Sequence, residues 1–307
     1  MPATSSLARL QQVLCALVVL AAVGWWTWRW PASPLQAVTG SLAILGVAVI
    51  VLAAEFVLLA FVARTDTAPV PTTRELVRAW IGETRQFFQV FCWRQPFRWR
   101  EVDDHLAPET RSKRGVVFIH GFVCNRGFWT PWMRMLRARG HAYVAVNLEP
   151  VYGSIDDYAA TVDSAVERVI RATGLPPLLV CHSMGGLVAR AWLRHAGSAE
   201  RAYGVVTMGS PHGGTWLGRF SRRANGLQMR LASPWLAELG RYESGRSMPF
   251  FVCWYTPCDN IVFPASTATL PGADNRLVRG VAHVDLAFQP EVMDHTMSLL
   301  QAANSKS

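Results

Sequence analysis

The sequence predicts an α/β domain built on a mostly parallel sheet and preceded by a helical hairpin that is apolar enough to cross a membrane. After Arg114, short runs rich in valine, leucine and phenylalanine alternate with stretches of helical period, which is the pattern of a parallel sheet with helices on both faces. Before this region, two long stretches are almost free of charge. The 307 residues, 51% of them hydrophobic, suffice for one globular domain and an appendage.

The first apolar stretch, residues 10–28, contains no charged residue and matches the about 20 residues that a helix needs to cross a bilayer core. The stretch ends in side chains typical of a membrane interface, namely Trp25, Trp26, Trp28, Arg29 and Trp30. A signal peptide is the alternative interpretation, but no small-residue cleavage site follows. We therefore expect a retained membrane helix.

The second apolar stretch, residues 35–63, is interrupted only by Glu55. A carboxylate at the centre of a membrane costs about 3 kcal/mol, so we expect Glu55 near the headgroups or paired within the hairpin rather than in a proton relay. The two stretches together predict that residues 1–65 form a two-helix transmembrane anchor.

The arginines predict how this anchor is oriented. Arg64, Arg74 and Arg78 follow the second stretch, whereas only Arg29 lies in the loop between the two stretches. By the positive-inside rule, the α/β domain is expected on the cytoplasmic side of a bacterial-type inner membrane.

The net charge of +9 favours a bilayer with anionic lipids as a partner. Nucleic acid is not expected as a partner, because the arginines are scattered and no nucleic-acid-binding motif occurs. Residues 66–112 are predicted to be a basic, aromatic and amphipathic linker. Within it, residues 72–91 predict a helix that lies either on the membrane or on the α/β domain. The sequence does not define the oligomeric state.

The six cysteines lack the spacing of a zinc site, and no metal or organic cofactor is expected. We expect reduced, mostly buried thiols. Cys253 and Cys258 are nevertheless close enough in sequence to form a disulfide in an oxidising compartment, so their redox state would report on topology.

Five short runs predict the strands of the sheet. They are residues 115–120, 143–148, 178–182, 204–208 and 250–255. Between the second and third runs, Ser154 with Asp157 three residues later predicts a helix start, and the helix extends to about Ala172 before Gly174 and Pro176.

The third predicted strand leads directly into Ser183 through the sequence LLVCHSMGG at residues 178–186, and a helix is predicted from there to near His195. This is the arrangement of a nucleophile elbow, in which a serine on a strained strand-to-helix turn projects above the sheet. Small residues are needed two positions before and after the serine, and Cys181 and Gly185 stand there. The N-terminus of the following helix favours negative charge that develops nearby.

The motif resembles that of the α/β-hydrolase family, particularly its lipase and esterase branch, whose pattern is GxSxG. Cys181 replaces the first glycine of that pattern, and we do not expect it to be a second nucleophile because a thiol at a strand end is usually buried. The resemblance covers residues 113–300. It implies an α/β-hydrolase fold over residues 113–307, with an insertion at about 216–246 that is either a lid over an acyl pocket or an ordinary cap of helices.

The resemblance also implies a catalytic triad in the family's chain order, with Ser183 as nucleophile, Asp259 as acid and His283 as base. Asp259 follows the fifth predicted strand, and His283 precedes the last predicted helix. The alternatives are Asp274 or Asp285 as the acid and His295 as the base. His295 is disfavoured because it lies inside the final helical pattern.

Residues 120–122 follow the first predicted strand, where the family has its oxyanion loop. The resemblance therefore implies that the backbone N–H groups of Phe122 and Met184 bind the oxyanion. We interpret His120 as a structural histidine that holds this loop. The positions expected to contact substrate are His120, Gly121, His182, Pro211 and His212.

These features predict a membrane-anchored serine ester hydrolase, a lipase or carboxylesterase, whose substrate is an acyl ester or lipid. An acyltransferase or thioesterase with the same triad is the first alternative, since only the attacking or leaving group would differ. A binding protein on an inactivated hydrolase fold is the second, and the complete triad argues against it.

Overall fold

The computed structural model describes residues 5–197 and 199–304. Residues 1–4 of the predicted anchor and 305–307 of the predicted catalytic segment lie outside the described residues. The helices within the described ranges are α1 (Ser6–Arg29), α2 (Pro34–Leu45), α3 (Val47–Val62), α4 (Thr73–Gln89), α5 (Gln95–Phe97), α6 (Thr130–Ala138), α7 (Ala159–Thr173), α8 (Met184–Ala196), α9 (Ala224–Gln228), α10 (Pro234–Glu243), α11 (His283–Leu286) and α12 (Pro290–Asn304). The strands are β1 (Val116–Ile119), β2 (Tyr143–Ala145), β3 (Leu178–His182), β4 (Gly204–Met208), β5 (Phe250–Tyr255) and β6 (Asp274–Leu277).

The six strands form one sheet in the order β2-β1-β3-β4-β5-β6, and every neighbouring pair is parallel. This confirms the predicted parallel sheet. The three strands β3, β4 and β5 have the predicted bounds, whereas β1 and β2 are shorter than predicted. The sequence analysis missed β6, because its residues Asp274–Leu277 are mostly polar and the strand lies exposed at the edge of the sheet.

Apolar layers cover both faces of the sheet, as predicted. Val117, Leu179 and Val205 pack with α7 and α8 on one face, while Phe118 and Val180 pack with α6 and α12 on the other. A strand buried on both faces needs apolar side chains at successive positions, so these strands appear in the sequence as continuous apolar runs. The capping box of Ser154 and Asp157 also forms, at the start of the short 3₁₀ turn that leads into α7.

The helices α1 and α2 form an antiparallel hairpin. The indole N–H of Trp25 donates to the carbonyl of Gln36 at 2.9 Å, and the hydroxyl of Ser41 donates to the carbonyl of Ala22 at 2.9 Å. Gly40 permits this close approach, since a Cβ there would collide with the indole of Trp25. The α1–α2 pair is therefore a packed unit.

The predicted second span, residues 35–63, is not one continuous helix. It divides at Gly46 into α2 and α3, and glycine has a poor intrinsic helix propensity. By length and composition, two described helices could cross a membrane, Ser6–Arg29 and Val47–Thr65. The α2 helix is shorter than a span.

The N-terminal helices contact the rest of the protein at several points. Near the start of α1, the Ser6 hydroxyl donates to the Glu149 carboxylate at 2.6 Å. The amphipathic helix α4 packs against α3 and α11, and its Gln86 donates to Asp285 at 3.1 Å. The helix predicted within residues 72–91 thus packs on the α/β domain in this structure.

Residues 216–246 contain a 3₁₀ turn followed by α9 and α10. The end of this insertion is fixed to α8 by a buried ion pair, in which a guanidinium nitrogen of Arg190 lies 2.6 Å from a carboxylate oxygen of Glu243. Breaking such a pair would leave a charge buried without a partner, so this contact holds the insertion firmly in place.

Candidate active site

Ser183 lies at the turn between β3 and α8 with φ 54° and ψ −129°, a region that residues with a side chain rarely adopt. The surrounding packing maintains this strain. The Ser183 N–H donates to the carbonyl of Met208 at 2.9 Å, and a Cβ at Gly185 would collide with the carbonyl oxygen of Ile119. Cys181 occupies the other small position and is fully buried. This is the local geometry expected of a nucleophile elbow.

The loop after β1 closes directly over Ser183. A Cβ at Gly121 would lie 2.7 Å from the Cβ of Ser183, so this approach requires glycine. His120 holds the loop, because its Nε2 accepts from the Leu148 N–H at 3.1 Å and its Nδ1 lies 2.9 Å from the Gly121 carbonyl. Burial lowers the pKa of His120 to about 4, which keeps the ring neutral in this linking role.

Two backbone N–H groups lie beside Ser183 in this arrangement, on Phe122 in the loop and on Met184 at the first position of α8. Within the described residues, neither N–H donates a hydrogen bond to another protein group. Two backbone donors next to a serine can together bind an oxyanion.

His283 and Asp259 form a buried pair. Nδ1 of His283 lies 2.9 Å from Oδ2 of Asp259. The other carboxylate oxygen of Asp259 accepts from the N–H groups of Ile261 at 2.9 Å and Val262 at 2.6 Å, which fixes its orientation. Burial alone would lower the pKa of His283, but the surrounding carboxylates, that of Asp259 foremost, together outweigh burial and raise this pKa.

The alternative acids and base lie elsewhere. Asp274 is exposed and forms an ion pair with Arg276 at 2.8 Å. Asp285 accepts instead from Gln86, and His295 packs edge-on against Trp254. The geometry therefore favours the pair Asp259 and His283.

Ser183, His283 and His182 line one cavity of about 440 Å³. This volume is within the range of small-molecule binding sites. Nε2 of His182 lies 3.1 Å from the His283 carbonyl oxygen, and since a carbonyl only accepts, this nitrogen carries the proton. The remaining wall is mostly apolar and includes Val47, Ala48, Val51 and Leu52 of α3 and Phe87 of α4.

Comparison with known sequences identifies the family to which this arrangement belongs. A sequence model described as the alpha/beta hydrolase family matches residues 116–296, which include all the strands and the three residues Ser183, Asp259 and His283. The chain belongs to the alpha/beta hydrolase family. No match was found among curated proteins.

Solved structures of lipases share the alpha/beta hydrolase fold of this chain. Lipase B of Aspergillus fumigatus is similar with a TM-score of 0.60 and 13% identity, over 98% of this chain and 82% of the lipase. The mature lipase BlEst2 of Bacillus licheniformis is similar with a TM-score of 0.54 and 16% identity, over 64% of this chain and 95% of the lipase. These similarities confirm the predicted fold.

The other predicted substrate positions of this alpha/beta hydrolase do not line the cavity at Ser183, although Gly121 lies directly against Ser183. Among the described residues, its lining includes neither His120 nor Gly121, and it includes neither Pro211 nor His212. His212 instead lines a separate cavity of about 1160 Å³ together with Arg190. Of the five positions expected to contact substrate, the structure brings His182 alone to the cavity that holds Ser183.

The insertion 216–246 lies apart from the cavity at Ser183. Among its described residues, none lines that cavity, whereas Leu236, Gly240 and Glu243 line the larger cavity. The cavity at Ser183 is lined instead by residues of α3 and α4. Part of the predicted anchor, the helix α3, therefore forms a wall of the candidate site.

Sequence reasoning missed two residues at this cavity, Glu55 of α3 and Glu83 of α4. Glu55 is paired as one interpretation expected, but its partner is Asn260 of the hydrolase domain at 2.7 Å and not a residue of the hairpin. Glu83 is 3% exposed and accepts hydrogen bonds from the N–H groups of Val284 and Asp285. Their positions in apolar or amphipathic helices were the only available signal.

Proposed function

We propose that this protein is a membrane-anchored serine hydrolase that cleaves carboxylic esters of lipid-like substrates through an acyl-enzyme on Ser183. One observation carries the proposal. The strained Ser183 lines the same apolar cavity as His283, and Nδ1 of His283 is hydrogen-bonded to the buried Asp259. A serine, a base and an acid in these relations are what nucleophilic acyl transfer requires.

In the proposed reaction, Nε2 of His283 takes the proton from Oγ of Ser183 as Oγ attacks the ester carbonyl carbon. The negative charge on the carbonyl oxygen is stabilised by the N–H groups of Phe122 and Met184. His283 then gives the proton to the leaving alcohol as the ester bond breaks. Water repeats the sequence on the acyl-enzyme and releases the carboxylic acid, while Asp259 stabilises the charged ring throughout.

The apolar wall of the cavity supports the proposal that the substrate carries a lipid-like acyl group. Apolar side chains from α3 and α4, together with Phe91, surround the space next to Ser183. An aliphatic chain that enters such a space is removed from water, which stabilises the complex by about 25 cal/mol per Å² of buried apolar surface.

The exposed surface of the N-terminal helices supports membrane anchoring. Large apolar side chains are exposed along α1, α2 and α3, and they include Leu14, Leu17, Leu20, Leu42, Ile50 and Phe61. A continuous apolar surface of this kind marks a membrane or protein contact. We place the hydrolase domain at the cytoplasmic side of the membrane, where the basic residues that follow α3 would meet anionic lipids.

A fluorophosphonate probe tests the serine mechanism directly. Membranes that contain the protein are labelled, with Ser183→Ala as the matched control. We expect label on the wild type and none on the variant. Equal labelling of both would disprove the mechanism. Release of free acid as the product indicates hydrolysis, whereas transfer of the acyl group to a second alcohol or amine indicates acyl transfer.

A reporter fused to the C-terminus tests the proposed orientation. A reporter that is active only in the cytoplasm should be active in this fusion, and activity of a reporter that works only in the periplasm would overturn the orientation.

A further inference from the structure

Two acidic side chains from the N-terminal helices meet the turn that carries His283. Glu83 of α4 and Glu55 of α3 both line the cavity at Ser183. Neither helix lies within residues 116–296, which match the family model. These two carboxylates therefore come from outside the segment that matches the family model.

Glu83 occupies the place of a helix cap for α11, the short helix that begins at His283. The residue before α11 is Ala282, which has no side-chain acceptor. The second and third N–H groups of α11, on Val284 and Asp285, donate to the carboxylate of Glu83 at 3.0 and 3.1 Å. These are the groups that a serine or aspartate at the cap position usually satisfies. Glu83, which lies on another helix, thus accepts the hydrogen bonds that the side chain of Ala282 cannot accept.

Glu55 reaches the same turn through Asn260. One oxygen of Glu55 accepts from the Asn260 side-chain N–H₂ at 2.7 Å, and the Asn260 side-chain oxygen lies 3.5 Å from the His283 N–H. The first three N–H groups of α11 are therefore directed at side chains that α3 and α4 either supply or orient. The position of His283 depends on both helices.

The charge of Glu83 also acts on the ring of His283. Burial raises the pKa of Glu83 to about 7, against the opposing effects of His283 and of the two backbone donors. The negative form of Glu83 in turn contributes to the raised pKa of His283. Among the described residues, the other titratable groups around Glu83 include Glu55, Asp259 and Asp285, with His182 and Cys124 on the same cavity. Glu83 is thus placed to stabilise an imidazolium on His283.

We propose that Glu83 is a positioning residue for the base His283, which it holds through the first turn of α11 and favours in its protonated form. On this basis α4 and α3 are both parts of the active site, and α4 does not serve only to connect the anchor to the hydrolase domain. The inference rests on the function proposed above, since it needs His283 to act as a base.

The substitution Glu83→Gln tests the proposal because it keeps the shape and one acceptor oxygen but removes the charge. The matched control is Glu75→Gln, which removes a carboxylate from the same helix, where Glu75 binds Arg279 near the same turn. Each protein is purified in detergent with its full chain. The rate with a p-nitrophenyl ester is measured from pH 5 to pH 9, together with fluorophosphonate labelling and the melting transition.

We expect Glu83→Gln to remain folded and labelled, with kcat about tenfold lower and the acid limb of kcat/KM moved down by about one pH unit. Glu75→Gln should leave that limb in place. A Glu83→Gln profile that coincides with the wild type overturns the proposal, as does an equal shift in the control. Loss of the melting transition in Glu83→Gln also overturns it, because Glu83 would then serve the fold. A wild type that takes no label refutes the proposed function itself.

Discussion

Nε2 of His182 donates a hydrogen bond to the backbone carbonyl of His283 at 3.1 Å. The residue immediately before the proposed nucleophile is thereby connected to the proposed base, although the two are 101 positions apart in sequence. Their rings lie 4.6 Å apart between centroids. Burial keeps the pKa of His182 well below its usual value, so this ring remains a neutral donor.

Substitution of His182 by alanine is expected to lower both stability and turnover. The His283 carbonyl would lose a buried donor, which costs about 1–3 kcal/mol of unfolding free energy. His182→Gln restores an N–H₂ donor and should recover part of both losses. Chemical denaturation in detergent and kcat with a soluble ester measure the two effects. An unchanged denaturation midpoint in His182→Ala would contradict the structural role given to this bond.

The activity should fall in acid with an apparent pKa above the ordinary value for histidine. His283 must be neutral to accept the serine proton, and the Asp259 carboxylate raises the pKa of His283. Protonation therefore removes the base as the pH falls through this raised value. The pH dependence of kcat/KM measures it. Asp259→Asn should move the acid limb to lower pH and reduce kcat by about 10⁴, and an acid limb that stays in place would argue against Asp259 as the acid.

Replacing Gly121 with alanine is expected to displace the loop that carries the Phe122 N–H. The new methyl group would stand 2.7 Å from the Cβ of Ser183, so one of the two must move. Loss of one oxyanion donor typically lowers kcat by about 10²–10³. Gly240→Ala is the control, because a Cβ at Gly240 meets nothing within 4 Å. Equal activity of the two variants would exclude this loop from catalysis.

The width of the cavity at α3 should set the preferred acyl chain length. Val51 lines the cavity at Ser183, whereas its neighbour Ile50 does not and is 62% exposed. Val51→Phe is expected to reduce kcat/KM for a long-chain p-nitrophenyl ester relative to a short-chain ester by about tenfold. Ile50→Phe adds similar bulk on the outer face and should leave this ratio unchanged. If both variants change the ratio alike, the acyl group does not occupy this cavity.

Features determined by residues close together in sequence were predictable. The path from β3 through Ser183 to α8 depends on a few adjacent positions, so the apolar run and the small residues around Ser183 predict it. The bounds of β3, β4 and β5 agree with the structure for the same reason. The polar strand β6 shows the opposite case, because its pairing with β5 rather than its own composition determines it.

Contacts between distant segments were not predictable. Glu83 and Val284 are 201 positions apart, and Glu55 and Asn260 are 205 positions apart. Nothing in the pattern of an amphipathic helix indicates which loop will accept its one buried carboxylate. The break at Gly46 has a similar origin, since an apolar stretch does not reveal that its second half packs along the hydrolase domain. That packing supplies one wall of the candidate site, so part of the predicted anchor also lines the cavity.

The contacts of Ser6 with Glu149 and of Glu55 with Asn260 fasten the apolar segment to the globular part at both of its ends. With the hairpin embedded in the bilayer as proposed, no long linker separates it from the hydrolase domain. The distance between the active site and the membrane surface is then fixed. Its encounters with substrate then occur by lateral diffusion within one leaflet. The rate should accordingly follow the mole fraction of substrate lipid in the surface and not its concentration in the bulk solution.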